Sequence, residues 1–504
     1  MRTNACPTGP TTRYAAAKQP SDTVTTVADQ ERPGNAAAPT AEHGRLGLAL
    51  ILVAAFMVVL DFSIVNVALS SIQRELGVSA ATVQWVVTGY AIAFGGLLIL
   101  GGRAGDLYGR RRLFLAGIAA FTAASLAGGL ARDPVLLIAS RVVQGSGAAM
   151  VAPAALSLIT TGFPEGPRRT RALGLYGATA SVGFVAGQVL GGVLVEFLTW
   201  RSVFLVNVPV GLAALLLAPR ILRESRSPRT GRHLDASGAL LITLAVGALV
   251  FAVSRGGGTG IGSADVLVPL ALSALAAAAF IANEHHHADP LMQPALLRLH
   301  GLRSAGALML LLGLWNGGEM LVLSVYLQQV LHMSPLAAGL TIAPQGIFGL
   351  ATGLLGARLA RHLGIQKVLV ATGAAATIGF AALTRLPGSG GSHLPLAAVT
   401  LVGCGTAGMA FGSMVTASAG VADRDQGLVG GVINTSRQLG AAIGAALLPA
   451  VADAVDRTRH ASTAVGDRAA MLAGLAAAAL ATLVATNAWR RSRHDGVARC
   501  APRA

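Results

Sequence analysis

Charged residues are scarce in this sequence: Asp, Glu, Lys and Arg make up 12% of its 504 residues, and 53% of the residues are hydrophobic. A soluble domain carries roughly 25% charged residues, so the composition excludes an ordinary soluble protein. Aromatic residues are also few, at 5%, whereas the sequence has 63 glycines. Small residues let helices approach closely in lipid. These proportions predict an all-α polytopic membrane protein.

Several kinds of functional site are missing as well. The three cysteines, Cys6, Cys404 and Cys500, have neither the number nor the spacing of a disulfide framework or a metal site. We interpret His285–His287 with Asp289 as a solvated cluster at the membrane interface rather than as metal ligands. The sequence contains no G-x-x-x-x-G-K-S/T phosphate loop and no G-x-S-x-G nucleophile elbow. We therefore expect no metal, no cofactor, no ATP-driven transport and no enzymatic activity.

The positive charge is large, but it is not arranged for nucleic acid. The net charge is +16, and its Lys and Arg residues form short runs between apolar segments, whereas DNA-binding proteins cluster them on one face. Of the 38 basic residues, 28 lie in the two tails and in alternate connections, and 8 lie in the opposite connections. Basic residues accumulate on the cytoplasmic side of membrane proteins. We expect a plasma-membrane protein with both termini in the cytoplasm, without a nucleic-acid partner and without an obligate protein partner.

The apolar segments are long enough to cross a bilayer. A core of ~30 Å needs about 20 apolar residues. An odd number of spans would destroy the charge asymmetry, so fourteen is the prediction and twelve the alternative. The predicted spans are 46–70, 82–102, 112–130, 134–160, 170–196, 201–221, 235–253, 264–282, 304–330, 335–356, 367–384, 394–416, 428–450 and 468–489.

A weak internal repeat divides the chain. The Gly- and Arg-rich hairpin at 101–117 recurs at 356–367, and repeated halves around a central site are typical of secondary transporters. Polar composition predicts a disordered N-terminal tail. The predicted organisation is a cytoplasmic tail at 1–45, a six-helix bundle at 46–221, a linker with two inserted spans at 222–303, a second six-helix bundle at 304–489 and a cytoplasmic tail at 490–504.

Asp61 lies in the middle of the first predicted span. A carboxylate at that depth is costly unless it is paired, hydrated or protonated. One interpretation is a structural carboxylate bonded to a neighbouring helix. The other, which we favour, is a site for protons or for a cationic substrate.

Glu319 is the other acidic residue well inside a span. Asn316 and Trp315 precede it by three and four residues and therefore share its helix face. An aromatic ring beside a carboxylate suits a lipophilic cation, and Gly317-Gly318 predicts a locally weakened helix. The alternative is that Glu319 lies close to a membrane face.

Two arginines fall inside predicted spans. Arg141 has Gln144 and Gly145 on its own face, and Arg437 belongs to the polar segment Asn434–Gly440. An arginine at bilayer depth needs a carboxylate, carbonyl groups or cavity water as a partner. Both can be structural, and both can serve transport.

Four glycines form a stripe in the fifth span. Gly183, Gly187 and Gly191 are four residues apart, and Gly192 adjoins them. Such a stripe lets another helix approach closely or slide, so it predicts either tight packing or a hinge.

Six segments follow one another along the chain: Leu60–Leu69, Gly101–Arg112, Arg141–Gly147, Gly183–Gly192, Trp200–Gly211 and Asn434–Gly440. In this order they resemble motifs of the major facilitator superfamily and of its fourteen-helix drug:proton antiporter branch. Gln188 stands where the antiporter motif of the fifth helix usually has proline.

The resemblance implies proton-driven export by alternating access. Asp106 would pair with Arg110 and with the end of a helix from the other half. Both contacts would be attractive, because an arginine and a helix N-terminus are positive and the carboxylate is negative. Arg141 would support proton coupling, and Asp61 would be the acid that is protonated. The resemblance places the cytoplasmic gating loop at Gly102, Asp106, Gly109, Arg110 and Arg111.

We therefore predict two six-helix bundles plus two inserted helices that export hydrophobic or amphipathic drugs or antibiotics in exchange for protons. The alternatives are transport of a specific small metabolite, a polytopic membrane enzyme, and a receptor that transports nothing. An enzyme would need a cluster of His, Asp or Glu at a membrane face, and a receptor would tolerate Asp61→Asn.

Overall fold

The computed structural model describes residues 41–163, 166–224, 235–259, 262–286, 300–387, 393–418, 426–459 and 463–500. Over these residues the chain forms helices and no strand. The helices are α1 Ala41–Leu76, α2 Ala80–Tyr108, α3 Arg110–Gly129, α4 Pro134–Gly162, α5 Pro167–Phe197, α6 Ser202–Leu205, α7 Asn207–Ile221, α8 Ala236–Thr259, α9 Ala264–His286, α10 His300–Gln329, α11 Pro335–Leu363, α12 Ile365–Leu383, α13 His393–Ser418, α14 Gln426–Arg459 and α15 Thr463–Cys500.

Polar caps start several of these helices. Ser79, Asp133 and Ser334 each accept a hydrogen bond from a main-chain N–H in the first turn of α2, α4 and α11, a bond that satisfies one of the donors left free at a helix N-terminus. Gly109 separates α2 from α3 with φ 110°, and Gly364 separates α11 from α12 with φ 85°. L side chains rarely adopt such backbone angles, so both predicted cytoplasmic hairpins depend on glycine for a sharp turn.

The spans agree with the predicted ones to within a few residues at most ends. Twelve of the described helical stretches are long and apolar enough to cross a membrane, and α2 and α8 contain shorter apolar stretches at Thr82–Leu98 and Leu240–Val253. Fourteen spans therefore stays a prediction that depends on α2 and α8. The predicted span 201–221 is interrupted, because α6 ends at Leu205 and α7 begins at Asn207.

Buried apolar clusters hold each half together. One large cluster is built by α10 to α15, and two others are centred on α1 to α7. The inserted helices α8 and α9 pack on each other, and α8 also contacts α2 and α14, with Val250 and Ala442 in the seam. The two halves meet where α5 contacts α11 and α2 contacts α14.

Glycine makes the contact between α5 and α11 possible. A Cβ atom on Gly192 would lie 2.5 Å from the Cα of Leu336, and one on Gly339 would lie 2.3 Å from the carbonyl oxygen of Gln188. Both distances are shorter than real contacts allow, so the helices touch backbone to backbone at this level.

Candidate functional site

A buried ion pair joins Asp61 of α1 to Arg141 of α4. The Arg141 Nη1 atom lies 2.6 Å from Asp61 Oδ2, and both side chains are 0% exposed. The Arg141 Nε–H also donates to the carbonyl oxygen of Val86 in α2, at 2.8 Å. The arginine therefore has the carboxylate and carbonyl partners that its depth requires, and the net charge of the pair is zero.

Uncharged side chains complete the shell around Asp61. Gln144 Nε2 donates to Asp61 Oδ1 at 3.0 Å and to Ser125 Oγ of α3 at 2.6 Å. Asn207 Nδ2, at the start of α7, donates to the same Asp61 Oδ1 at 2.9 Å. Each of these neighbours donates to Asp61, so the arrangement fits the ionised carboxylate. The three bonds use three of the about four lone-pair positions of the carboxylate, and the remaining position lies on Oδ2.

Aromatic rings cover the guanidinium group of Arg141. Its Cζ atom lies 4.3 Å from the ring centroid of Tyr90 and 5.9 Å from that of Phe204, distances at which a ring face attracts a cation. The Arg141 Nη2 atom and the Tyr90 hydroxyl are buried without a hydrogen-bond partner among the described residues. Buried polar groups of this kind usually bond to water or to a ligand. Both groups can therefore form a further hydrogen bond at this site.

Glu319 lies in the second half, away from this network. Gln345 of α11 donates to Glu319 Oε2 at 3.1 Å, and Glu319 Oε1 has no partner among the described residues. The side chain is 0% exposed. Trp315 does not stand beside it as a site for a lipophilic cation, because its indole N–H donates to Thr406 and its ring packs on Phe380.

α10 continues through the two glycines before Glu319, from His300 to Gln329. The local weakening of this helix stays a prediction. A Cβ on Gly317 would lie 2.3 Å from the Ala441 carbonyl oxygen, and one on Gly318 would lie 2.4 Å from that of Gly444. These glycines let α10 and α14 pack closely.

Arg437 has a much weaker set of partners than Arg141. It is half-buried in α14, and its Nη2 atom donates to Asn434 Oδ1 at 3.3 Å. No described carboxylate lies within salt-bridge distance of it. Asn316 is also half-buried.

The glycine stripe of α5 faces α1. A Cβ on Gly183, Gly187 or Gly191 would lie 3.1 Å or less from the side chain of Val59, Ser63 or Ile64, respectively. At the same level Gln188 Nε2 donates to Ser63 Oγ at 2.8 Å, and Ser63 Oγ donates to the Phe184 carbonyl at 2.8 Å. The side chains of Gln188 and Ser63 thus connect α5 to α1, and Ser63 follows Asp61 by two residues.

The gating-loop residues meet a carboxylate that the sequence did not single out. Glu224, just after α7, accepts hydrogen bonds from the main-chain N–H groups of Arg111 and Arg112 at 3.1 and 3.2 Å, which caps the N-terminus of α3. Arg111 Nη1 donates to the carbonyl oxygens at 219 and 222. Gly102 faces Pro153 of α4. The side chain of Asp106 lies outside the described part of the structure, so its pairing with Arg110 stays a prediction.

No group of three or more His, Cys, Asp or Glu side chains in the described residues is placed to hold a metal ion. His285 and His286 are exposed at the end of α9, and His287 and Asp289 lie outside the described residues. Asn207, Ser125 and Gln345 are the important residues that the sequence analysis missed. A polar side chain inside an apolar run is the signal that each of them carries.

The model of the Major Facilitator Superfamily matches residues 51–445. The chain belongs to this superfamily. The predicted family and all-α fold are confirmed, and the molecule is a multi-pass membrane transporter.

Relatives point to the same branch that the motifs indicated. The chain is 44% identical over 408 residues to the cephamycin export protein CmcT of Amycolatopsis lactamdurans, a match that covers 80% of this chain and 83% of the relative. It is 42% identical over 414 residues to the puromycin resistance protein pur8 of Streptomyces alboniger, with 80% and 81% covered.

Solved structures support the fold. An auto-inhibited peptide transporter of the POT family superposes with a TM-score of 0.66 at 13% identity, over 89% of this chain and 97% of that one. A bacterial homologue of the human lysosomal transporter Spinster, inward-facing and unoccupied, gives a TM-score of 0.61 at 16% identity, over 90% and 98%. At such low identity the likeness concerns the fold alone.

Proposed function

We propose that this protein exports hydrophobic or amphipathic antibiotics across the plasma membrane in exchange for protons, by alternating access. The observation that carries the proposal is the fully buried Asp61–Arg141 pair with its donor shell. Ionisable residues at bilayer depth mark ion pathways and proton relays. The printed names of two relatives, a cephamycin export protein and a puromycin resistance protein, support antibiotics as the substrate class.

In this mechanism Asp61 carries the proton. When a proton binds, the charge that holds Arg141 disappears, and a buried cation without its counter-ion is costly. Arg141 then keeps the Val86 carbonyl and Gln144 Oε1 as acceptors and Tyr90 beside it, and none of these is a counter-ion. Proton binding therefore favours a second arrangement of α1 and α4, which couples protonation to a change of shape.

The remaining candidate residues take supporting roles in the proposal. Glu319 is a second site for protons or substrate, and Arg437 lies beside the substrate route. Gly102, Asp106, Gly109, Arg110 and Arg111 form the cytoplasmic gate, with both termini on that side. Gly183, Gly187, Gly191 and Gly192 form the surfaces along which α5 moves. Gln144, Asn316 and Asn434 supply intramembrane polar contacts.

The driving force is sufficient for export. A membrane potential of about 100 mV supplies roughly 2.3 kcal/mol per charge. At about 1.4 kcal/mol per factor of ten, each proton supports a roughly fortyfold gradient of an uncharged drug.

Inverted membrane vesicles provide the test. Vesicles that contain the wild-type protein are energised, and release of the proton gradient is followed by dye fluorescence as a cephamycin, puromycin and a lipophilic cation are added. We expect at least one antibiotic to discharge the gradient with the wild-type protein and none with Asp61→Asn. Asp265→Asn changes an exposed acid at the start of α9 and should respond like the wild type.

The result that would contradict the proposal is an inactive wild-type protein that is present and folded in the vesicles. In that case a polar metabolite tested in the same vesicles would become the leading candidate substrate. Equal responses of wild type and Asp61→Asn would instead leave export standing and remove Asp61 from proton coupling.

A further inference from the structure

Several hydrogen bonds join the two halves on the predicted outer side of the molecule. Each of the five bonds below involves a residue toward the end of α1, α5 or α10, or toward the start of α2 or α11. They join Gln84 to the Ala445 carbonyl (2.6 Å), Ser324 to the Asn66 carbonyl (2.8 Å), Gln328 to the Val67 carbonyl (3.1 Å), Gln329 to Gln73 (3.1 Å) and the Leu336 N–H to Glu196 (3.0 Å).

Two of these bonds reach the part of α1 that follows Asp61. Ser324 is 0% exposed, and its hydroxyl donates to the main-chain carbonyl of Asn66. One turn later on α10, Gln328 Nε2 donates to the main-chain carbonyl of Val67 and to Ser324 Oγ, at 3.1 and 3.2 Å. A polar pair from the second half thus holds the backbone of α1 itself.

An apolar seal lies directly below this pair. Leu321 of α10 and Ala445 of α14 belong to the same buried cluster as Leu60, Ile64 and Val65 of α1. Leu321 and Ser324 are three residues apart, so they lie on neighbouring positions of one helix face. The bond from Ser324 to the Asn66 carbonyl is buried, and a hydrogen bond in a low-dielectric interior is stronger than an exposed one.

The held carbonyls are close to the carboxylate in the helix. Asn66 and Val67 follow Asp61 by five and six residues, which is about 8 Å along α1 at 1.5 Å per residue. Asp61 is fastened to α4 and α7, Ser63 to α5, and the next turn to α10. A short stretch of α1 therefore connects the proton site with the contact between the halves.

We propose that Ser324 and Gln328 form a latch that keeps the outer side closed in this conformation, and that its release opens the exit for the substrate. This inference rests on the proposed function for what passes through the exit, and on the geometry alone for the closure. Ser324 and Gln328 are positioning residues, because they act on α1.

The test measures opening directly. Ser70 of α1 is 3% exposed and lines a pocket of about 520 Å³ on the predicted outer side, together with Arg74, Gln328 and His332. In a background where Cys6, Cys404 and Cys500 are replaced by alanine, Ser70→Cys introduces a nearly isosteric thiol. Its rate of reaction with a bulky maleimide, in purified protein in nanodiscs, reports how often the outer side opens.

We expect Ser324→Ala and Gln328→Leu each to raise the labelling rate about fivefold, the factor that one hydrogen bond of ordinary net strength gives. Ser324→Thr keeps the hydroxyl and should restore the slow rate. Thr352→Val is the matched control, since it also removes one hydroxyl donor, and Thr352 of α11 donates to the Phe348 carbonyl oxygen of its own helix. It should change the rate less than twofold.

Two outcomes would overturn the latch: unchanged labelling in both variants, or an equal rise in Thr352→Val. Because labelling needs no substrate, the two proposals fail separately. A wild-type protein that releases no protons on addition of drug, but whose labelling responds to Ser324→Ala, would contradict export and support the latch.

Discussion

At the scale of single residues, the main feature is an ion pair whose two side chains are fully buried. Such a pair contributes little net stability, because desolvation offsets the attraction, yet removing one partner is expensive. Asp61 and Arg141 thus depend on each other as partners inside the first half. A transporter can use this situation, because neutralising either member changes which structure is favoured.

Double substitution tests this pairing. Asp61→Asn and Arg141→Gln should each lower the free energy of unfolding by about 3–5 kcal/mol, the usual cost of a buried charge left alone. The double variant should lose clearly less than the two single losses together, since no charge is left without a partner. Thermal or denaturant unfolding of the purified protein in detergent measures all four proteins. Strictly additive losses would show that the two side chains do not depend on each other.

The sequence identified both members of this pair but not the pairing. Burial cost alone singles out Asp61 and Arg141 and requires each to have a partner. Which partner is chosen depends on how α1 lies against α4, 80 residues along the chain, and no local pattern encodes that. Asn207 and Ser125 were missed because burying one neutral amide or hydroxyl in an apolar run costs little free energy. The sequence therefore does not require a partner for either of them.

At the scale of helices, both glycine patterns lie where two helices pack closely. The stripe from Gly183 to Gly191 packs on α1, as one of its two interpretations required. Gly317-Gly318 packs on α14 within an uninterrupted α10. Each glycine lowers the stability of a helix by about 1 kcal/mol relative to alanine. The close packing of α10 on α14 that these glycines allow offsets this loss.

Gly317→Ala distinguishes a role of Gly317 in close packing from a role in bending α10. The added Cβ would lie 2.3 Å from the Ala441 carbonyl oxygen, so α10 and α14 must move apart at a cost of about 1–3 kcal/mol. We expect a lower melting temperature of the purified protein. Gly353→Ala in α11, where no described atom lies within 4 Å of the new Cβ, should leave it unchanged or raise it. A fully stable Gly317→Ala variant that has lost transport would favour bending after all.

At the scale of the whole molecule, the two halves meet where α5 packs on α11 and α2 on α14, with a smaller contact of α1 and α10. A short stretch of α1 bonds to α4, α5, α7 and α10. The order and approximate ends of the helices followed from apolar length, because a bilayer imposes a fixed thickness. The contacts between halves did not, since Ser324, Gln328 and Gln345 are ordinary polar residues until the packing of α10 places them.

The most direct test of the central claim uses purified protein in liposomes, with an antibiotic that the vesicle assay identifies. Wild type and Asp61→Asn are compared in drug–drug exchange without a gradient and in uphill accumulation driven by an imposed pH difference. Since Asp61 carries the proton in this mechanism, Asp61→Asn should retain exchange, which also shows that it is folded, and should lose accumulation. Accumulation by Asp61→Asn equal to that of the wild type would contradict the account.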